Sequence, residues 1–269
     1  MKDTRNLISR LFVSAIAFAM VSTLSAQTIG SAKVIRVKGP ARYTTGNNIW
    51  QPLSVGAVLQ PGSVVQTSTE RGSYVDLVLG DEAGVVTQPV VYKPSIVSSL
   101  AASSRAYQPS ADQNVVRVWE NSALGIDKMT AMQTGADTVT ETQLDLKAGR
   151  ITGSVKKMSA ASKYEVKLPN GVAGIRGTTY DISADGVVKV YVGSVVVAVV
   201  DPKTGNVVTQ VVSGGQQYDT RSNQLTPLSA ADMEAGTVFA GTVSYVPTSI
   251  PTTFASDRTI VTVSPVLGQ

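Results

Sequence analysis

The reading of this chain turns on residues 163–183, KYEVKLPNGVAGIRGTTYDIS. Its first six residues alternate, with Tyr164, Val166 and Leu168 on one side of an extended chain and Lys163, Glu165 and Lys167 on the other. Pro169-Asn170-Gly171 follows with turn chemistry, since Asn and Gly accept the positive φ angles of a tight reversal. Residues 172–175 resume an apolar run. Residues 178–183 alternate again, Tyr180 and Ile182 opposing Thr179 and Asp181. Period-two alternation broken by turn residues predicts consecutive short strands.

The same grammar extends outward in both directions. Asp185-Gly186 parts residues 178–183 from 187–192, and the stretch from Asp201 to Asn206 parts 195–200 from 207–212. Residues 73–79 set Val75, Leu77 and Leu79 on one face and Tyr74 and Asp76 on the other. Residues 187–200 become apolar on both faces after Val192. That predicts a central strand covered on both sides, with a corner at Gly193-Ser194. Left exposed, such a segment would template aggregation. The Ser/Ala-rich stretch marks a loop insertion at 95–114, and Ser229 caps a helix of one or two turns with Asp232 in its first turn. Residues 242–269, with Pro247, Pro251 and Pro265 among Thr, Ser and Val, read as an extended tail.

The N-terminus has a different character. Lys2, Arg5 and Arg10 precede an apolar run at 11–24, and Ser25-Ala26 offers small residues at a cleavage point before Gln27. This order is that of a secretory signal peptide at 1–26, with a run shorter than a membrane span. The expected location is therefore periplasmic, cell-surface or secreted, with no stable transmembrane segment after cleavage. Without Lys2, Arg5, Arg10 and Asp3, 20 Lys and Arg face 18 Asp and Glu, a balance that gives no pull toward nucleic acid. Cys and His are both absent, so there is no disulfide, no imidazole base and no imidazole metal ligand. No cofactor and no metal site are expected.

Several motifs together resemble the FecR family. Lys38-Gly39-Pro40-Ala41 begins a stretch through Trp50, Leu53, Gly56, Leu59, Gly62, Val65 and Thr67 that is similar to the opening of a FecR domain. Leu144-Asp145-Leu146 and Gly149-Arg150-Ile151 resemble a Leu-x-x-Gly-x-Val step. Pro169, Gly171, Ala173, Gly174, Arg176, Gly177, Thr178 and Tyr180 resemble the family's central Pro-x-Gly-x-Ala-x-x-Arg-Gly-Thr-x-Phe/Tyr motif. Gly214-Gly215-Gln216 resembles its close, so the likeness runs from 33 to 219. The resemblance implies an all-β fold over 27–241, solenoid- or roll-like, with a β-sandwich as the alternative. It also brings regulators of iron-siderophore uptake into view, which sense an outer-membrane transporter and control a sigma factor from a cytoplasmic part. About ten residues precede the apolar run here, so the expectation carries over only the extracytoplasmic module.

Each candidate site has an architectural reading beside the functional one. Arg176-Gly177-Thr178 could present a guanidinium to a carboxylate or phosphate, but reads first as structure, tying loops through carbonyls or Asp181. Between Lys147 and Arg176 stand seven basic residues and one acid, Glu165. Within that run Arg150, Lys156, Lys157, Lys163 and Lys167 form a candidate anion-binding surface. Asp76, Asp81, Glu82 and Asp181 are the carboxylates to weigh for acid–base catalysis. At turns or on solvent faces they read as turn formers, and no catalytic residue is assigned. Trp50 and Trp119 read as core packing before sugar platforms. The expected function is a non-catalytic envelope module that binds a protein or polysaccharide or senses. The alternatives are a self-associating surface component and an accessory in extracytoplasmic signalling.

Overall fold

A computed structural model describes residues 27–80, 114–135, 137–201 and 204–244. The expected signal peptide at 1–26, Asp81 and Glu82, the expected loop at 95–114 except Asn114, and the expected tail at 242–269 except its first three residues lie outside the described residues. Asn114 belongs to a strand and 242–244 to a helix. The strands begin with β1 (Gln27–Ile29), β2 (Ser31–Lys38), β3 (Ala41–Thr44), β4 (Gln51–Pro52), β5 (Val58–Leu59), β6 (Val64–Thr67) and β7 (Tyr74–Gly80). Next come β8 (Asn114–Trp119), β9 (Ala123–Thr134), β10 (Asp137–Ala148), β11 (Arg150–Ser154), β12 (Lys163–Leu168) and β13 (Gly171–Ile175). Then follow β14 (Thr179–Ser183), β15 (Val187–Val192), β16 (Ser194–Val200), β17 (Val207–Ser213), β18 (Gln216–Asp219), β19 (Gln224–Pro227) and helix α1 (Ala230–Ser244).

The strands form two sheets. The first is ordered β17-β16-β13-β12-β10-β9-β6-β3-β4, with β1 added on β9; the second is ordered β19-β18-β15-β14-β11-β8-β7-β2-β5. The chain lays strands alternately in the two, so both sheets grow in step from the β4/β5 end to the β17/β19 end. Described pairings are antiparallel except β10–β12. That parallel pair arises because the chain leaves β10, crosses to the second sheet for β11, and re-enters beside β10. The all-β expectation therefore holds, as two sheets built hairpin by hairpin.

The inner faces share one core. Val65, Leu124, Leu144, Val166 and Val197 of the first sheet and Val34, Leu77, Val116, Ile151 and Ile182 of the second are fully buried in one cluster. Each such burial contributes roughly 1.5–3 kcal/mol, which is why the alternation is so strict. Tyr164 and Tyr180 meet inside it edge to face, their hydroxyls 3.0 Å apart. Burial holds both phenols above their ordinary pKa. Opposite Tyr180 the chain places Gly153, where a Cβ would stand 2.3 Å from the ring.

Three local expectations change. Gly171 does not supply a positive φ; a Cβ there would lie 2.2 Å from the Ala198 carbonyl oxygen, so glycine is needed for close approach to β16. Residues 187–200 are two strands in different sheets with the corner at Gly193, as expected, but they are not covered on both sides. Val192, Val196 and Val200 are 64%, 46% and 47% exposed. The double-faced apolar pattern reflects a change of sheet and an uncovered outer face. The capped helix does begin after Ser229, whose Oγ accepts from the Asp232 N–H at 3.1 Å, but it continues to Ser244. Phe239, docked on Val78 and Val115, extends it.

Candidate functional site

The outer face of the second sheet carries one row of polar side chains, strand by strand. Register places Arg36 on β2 opposite Asp76 on β7, Asp76 opposite Arg117 on β8, and Arg117 opposite Thr152 on β11. Thr152 then faces Asp181 on β14, and Asp181 faces Lys189 on β15. Alternation puts these positions outward because their neighbours Leu77, Val116, Ile151, Ile182 and Val190 point into the core.

Asp76 is fully buried in this row, which corrects its placement on a solvent face. Arg117 grips it with two bonds, Nε to Oδ1 at 2.7 Å and Nη2 to Oδ2 at 2.9 Å, while Arg36 approaches at 3.4 Å. The Arg117 guanidinium lies against the rings of Tyr74, Trp119 and Phe239, 4.2, 5.3 and 5.4 Å from their centroids. Trp119 Nε1 donates to Thr152 Oγ1 at 2.7 Å, and Thr152 Oγ1 donates to Asp181 Oδ2 at 2.5 Å. Arg150 stacks on Trp119 at 4.6 Å and reaches Asp181 at 3.4 Å. Asp181 is likewise buried rather than at a turn. Burial raises its pKa against the opposing pull of Arg150 and the Thr152 hydroxyl.

Helix α1 lies over this row. Lys189 Nζ donates to Asp232 Oδ1 at 2.6 Å near its start, and Arg36 Nη2 donates to the Thr242 carbonyl at 3.0 Å near its end. Between them Gly236 permits contact with Tyr191, whose ring lies 2.3 Å from where a Cβ would sit. Chemically the row is a set of satisfied pairs: both carboxylates are committed to cations. Among the described residues no group of three or more Asp or Glu is placed to hold a metal ion. A pocket of about 210 Å³ opens beside Asp201, Tyr218, Arg221 and Asn223, below the several hundred cubic ångströms common for ligand clefts.

The residues singled out from sequence are distributed differently from expectation. The five basic residues do not form one surface. Arg150 lies on the second sheet's outer face, Lys163 and Lys167 on the first sheet's, and Lys156 and Lys157 on the link between β11 and β12. Lys163 pairs with Glu165 at 2.9 Å and Lys167 with Asp127 at 2.8 Å. Both lysines have raised pKa values from these hydrogen bonds. Neither Trp belongs to the core between the sheets. Trp50 is 40% exposed under Arg42, and Trp119 joins the outer row.

The central motif does come together, at the place where the chain changes sheets. Pro169 starts the turn into β13, and Gly171, Ala173 and Gly174 run along it beside β16. Arg176 is exposed, with Nη2 3.4 Å from the Met158 carbonyl oxygen. Gly177 has φ +62°. Thr178 is buried; its hydroxyl donates to the Ser194 carbonyl at 2.8 Å and accepts from the Ser194 N–H at 3.3 Å. Sequence reasoning missed Arg36, Arg117, Thr152 and Lys189. Their only signal was outward parity on strands whose partners lie far away in the chain.

Comparison with known proteins gives a match over part of the chain. Residues 97–196 match the model of the family described as FecR protein. The match contains the central motif and is narrower than the span read from sequence, leaving out the stretch at 38–67 and the close at 214–216. No curated protein matches the chain. Two crystal structures of a candidate anti-sigma factor from Parabacteroides distasonis, at 2.50 and 1.65 Å resolution, are similar at 13% identity and a TM-score of 0.32. The similarity covers 44% of this chain and 52% of that one, about half its length.

Proposed function

We propose, on the premise that residues 97–196 form a FecR-type segment, that the chain is an exported, non-catalytic module that engages another envelope protein in extracytoplasmic sensing. The FecR match is the observation that carries this reading. The leader-like order at 1–26 supports export, and no helix among the described residues is long and apolar enough to cross a membrane. The committed state of Asp76 and Asp181 supports a role without turnover. The pairing of Lys163 and Lys167 favours a protein partner over an anionic polymer, because their charge is already met on the surface. The motif from Pro169 to Tyr180 acts as architecture in this reading.

Light scattering on the purified chain, with and without extracted peptidoglycan, envelope polysaccharide and envelope protein fractions, tests the proposal. The expected result is a complex with a protein fraction and none with the polymers. Binding confined to a polysaccharide would replace the partner class, and turnover lost on changing one carboxylate would overturn the non-catalytic reading.

A further inference from the structure

Among the described residues five strands have an unpaired edge: β1, β4 and β17 in the first sheet, β5 and β19 in the second. An open edge offers unpaired N–H and C=O groups to another chain, and proteins blunt edges with short strands, proline, charge or bulges. β1 has three residues, β4 and β5 have two each, β4 includes Pro52, and β19 ends in Pro227. β17 has none of these devices, though two of its edge groups are met by nearby side chains: the Val211 carbonyl accepts from Gln210 Nε2 at 2.8 Å and the Ser213 N–H donates to Gln216 Oε1 at 2.9 Å. Its seven residues, 207–213, hold no charge and no proline, and they pair with β16 along their whole length without a register shift.

The outer face beside that edge is apolar as well. Val196 and Val200 on β16 stand opposite Val211 and Val207 on β17, and the four are 46%, 47%, 52% and 70% exposed. Farther along the same face β9, β10 and β12 carry paired charges such as Lys128–Glu141 and Lys167–Asp127, so the valine strip is bounded. An uncharged strip has no feature to select a charged polymer or peptide. An antiparallel edge is complementary to its own copy, since such pairing follows a two-fold axis, the commonest symmetry of protein assemblies.

We propose that β17 pairs with β17 of a second copy, joining the two first sheets across a two-fold axis at Thr209. That register sets Val207 of each copy opposite Val211 of the other and Thr209 opposite itself, keeping outward residues on one face. A seven-residue edge, about 24 Å long, buries less than the roughly 800 Å² per partner of a standard interface. The dimer is therefore reversible and concentration-dependent. The inference stands apart from the proposed function, which concerns a different protein as partner.

Sedimentation velocity of the purified chain over a concentration series is the test. Wild type is expected to show a reversible monomer–dimer equilibrium. Val211→Lys and Val207→Lys are each expected to weaken it by roughly tenfold or more without moving Tm. Because the chain lacks cysteine, Thr209→Cys provides a lone thiol. It is expected to form a disulfide-linked dimer faster than Thr226→Cys on the β19 edge. A chain that stays monomeric throughout, or association indifferent to both lysines, overturns the proposal. Equal cross-linking of the two thiols overturns the axis at Thr209.

Discussion

Gly177 and Gly193 stand at two neighbouring crossings between the sheets, and Thr178 ties those crossings together through Ser194. Their φ angles, +62° and +88°, are strained for any other residue. At Gly177 the surroundings are otherwise tolerant, a Cβ lying 3.4 Å from Lys157 Cα. Gly177→Val should therefore cost about 1–3 kcal/mol in urea denaturation, from backbone strain alone. At Gly193 a Cβ would stand 2.5 Å from the Gly177 carbonyl oxygen, so Gly193→Ala should cost about 3 kcal/mol or more. An unchanged midpoint for either would refute the account of the motif as architecture. Asp181 gives a pH-dependent case. Its folded pKa is raised, so the folded state binds its proton more readily than the unfolded chain does. The stability it contributes is thus present below the unfolded value, about 3.9, and lost as pH rises through the raised one. Asp181→Asn should raise Tm at neutral pH and lose that advantage in acid, as thermal unfolding at the two pH values would show.

Helix α1 is held to the sheets at few points, since Gly236 and Phe239 are its buried positions. Phe239→Ala should release it while leaving the sheets intact. Hydrogen exchange would then show lost protection at 230–244 and little change in β8 or β11, with a cost capped at the helix's own docking energy. Sequence could find the start of this helix and not its length. Ser229 and Asp232 form a local cap, but Gly236, Thr237, Val238, Gly241 and Thr242 are weak helix formers. Only the docking of Phe239 on a distant sheet, and the bond from Arg36 of that sheet to the Thr242 carbonyl, explain the continuation. Strands were legible for the opposite reason: the pattern from Lys163 to Leu168 and the Asp185-Gly186 turn are local signals of burial and backbone geometry. The outer row was not legible, because Asp76 and Arg117 are 41 residues apart and meet only through strand pairing.

At the scale of the molecule, one core runs the length of both sheets, yet each strand pairs only with its neighbours. Stability should accordingly be greatest in the middle and fall toward the ends. Ile151→Ala, in the middle, is expected to cost about 3–5 kcal/mol by denaturant unfolding. Leu53→Ala, beside the end strand β4, should cost about 2 kcal/mol, because that end can open locally. Equal costs would indicate that the two sheets melt as a single rigid block.

The in-step growth of the sheets also bears on how such a fold can change over evolutionary time. A unit of one hairpin in each layer adds to the stack without altering the register of the units before it. Lineages could lengthen or shorten the body by whole units, while the crossings at Gly177 and Gly193 keep the layers aligned. The part under tightest constraint would then be the joint rather than the surface, and outer faces would be free to diverge toward different partners.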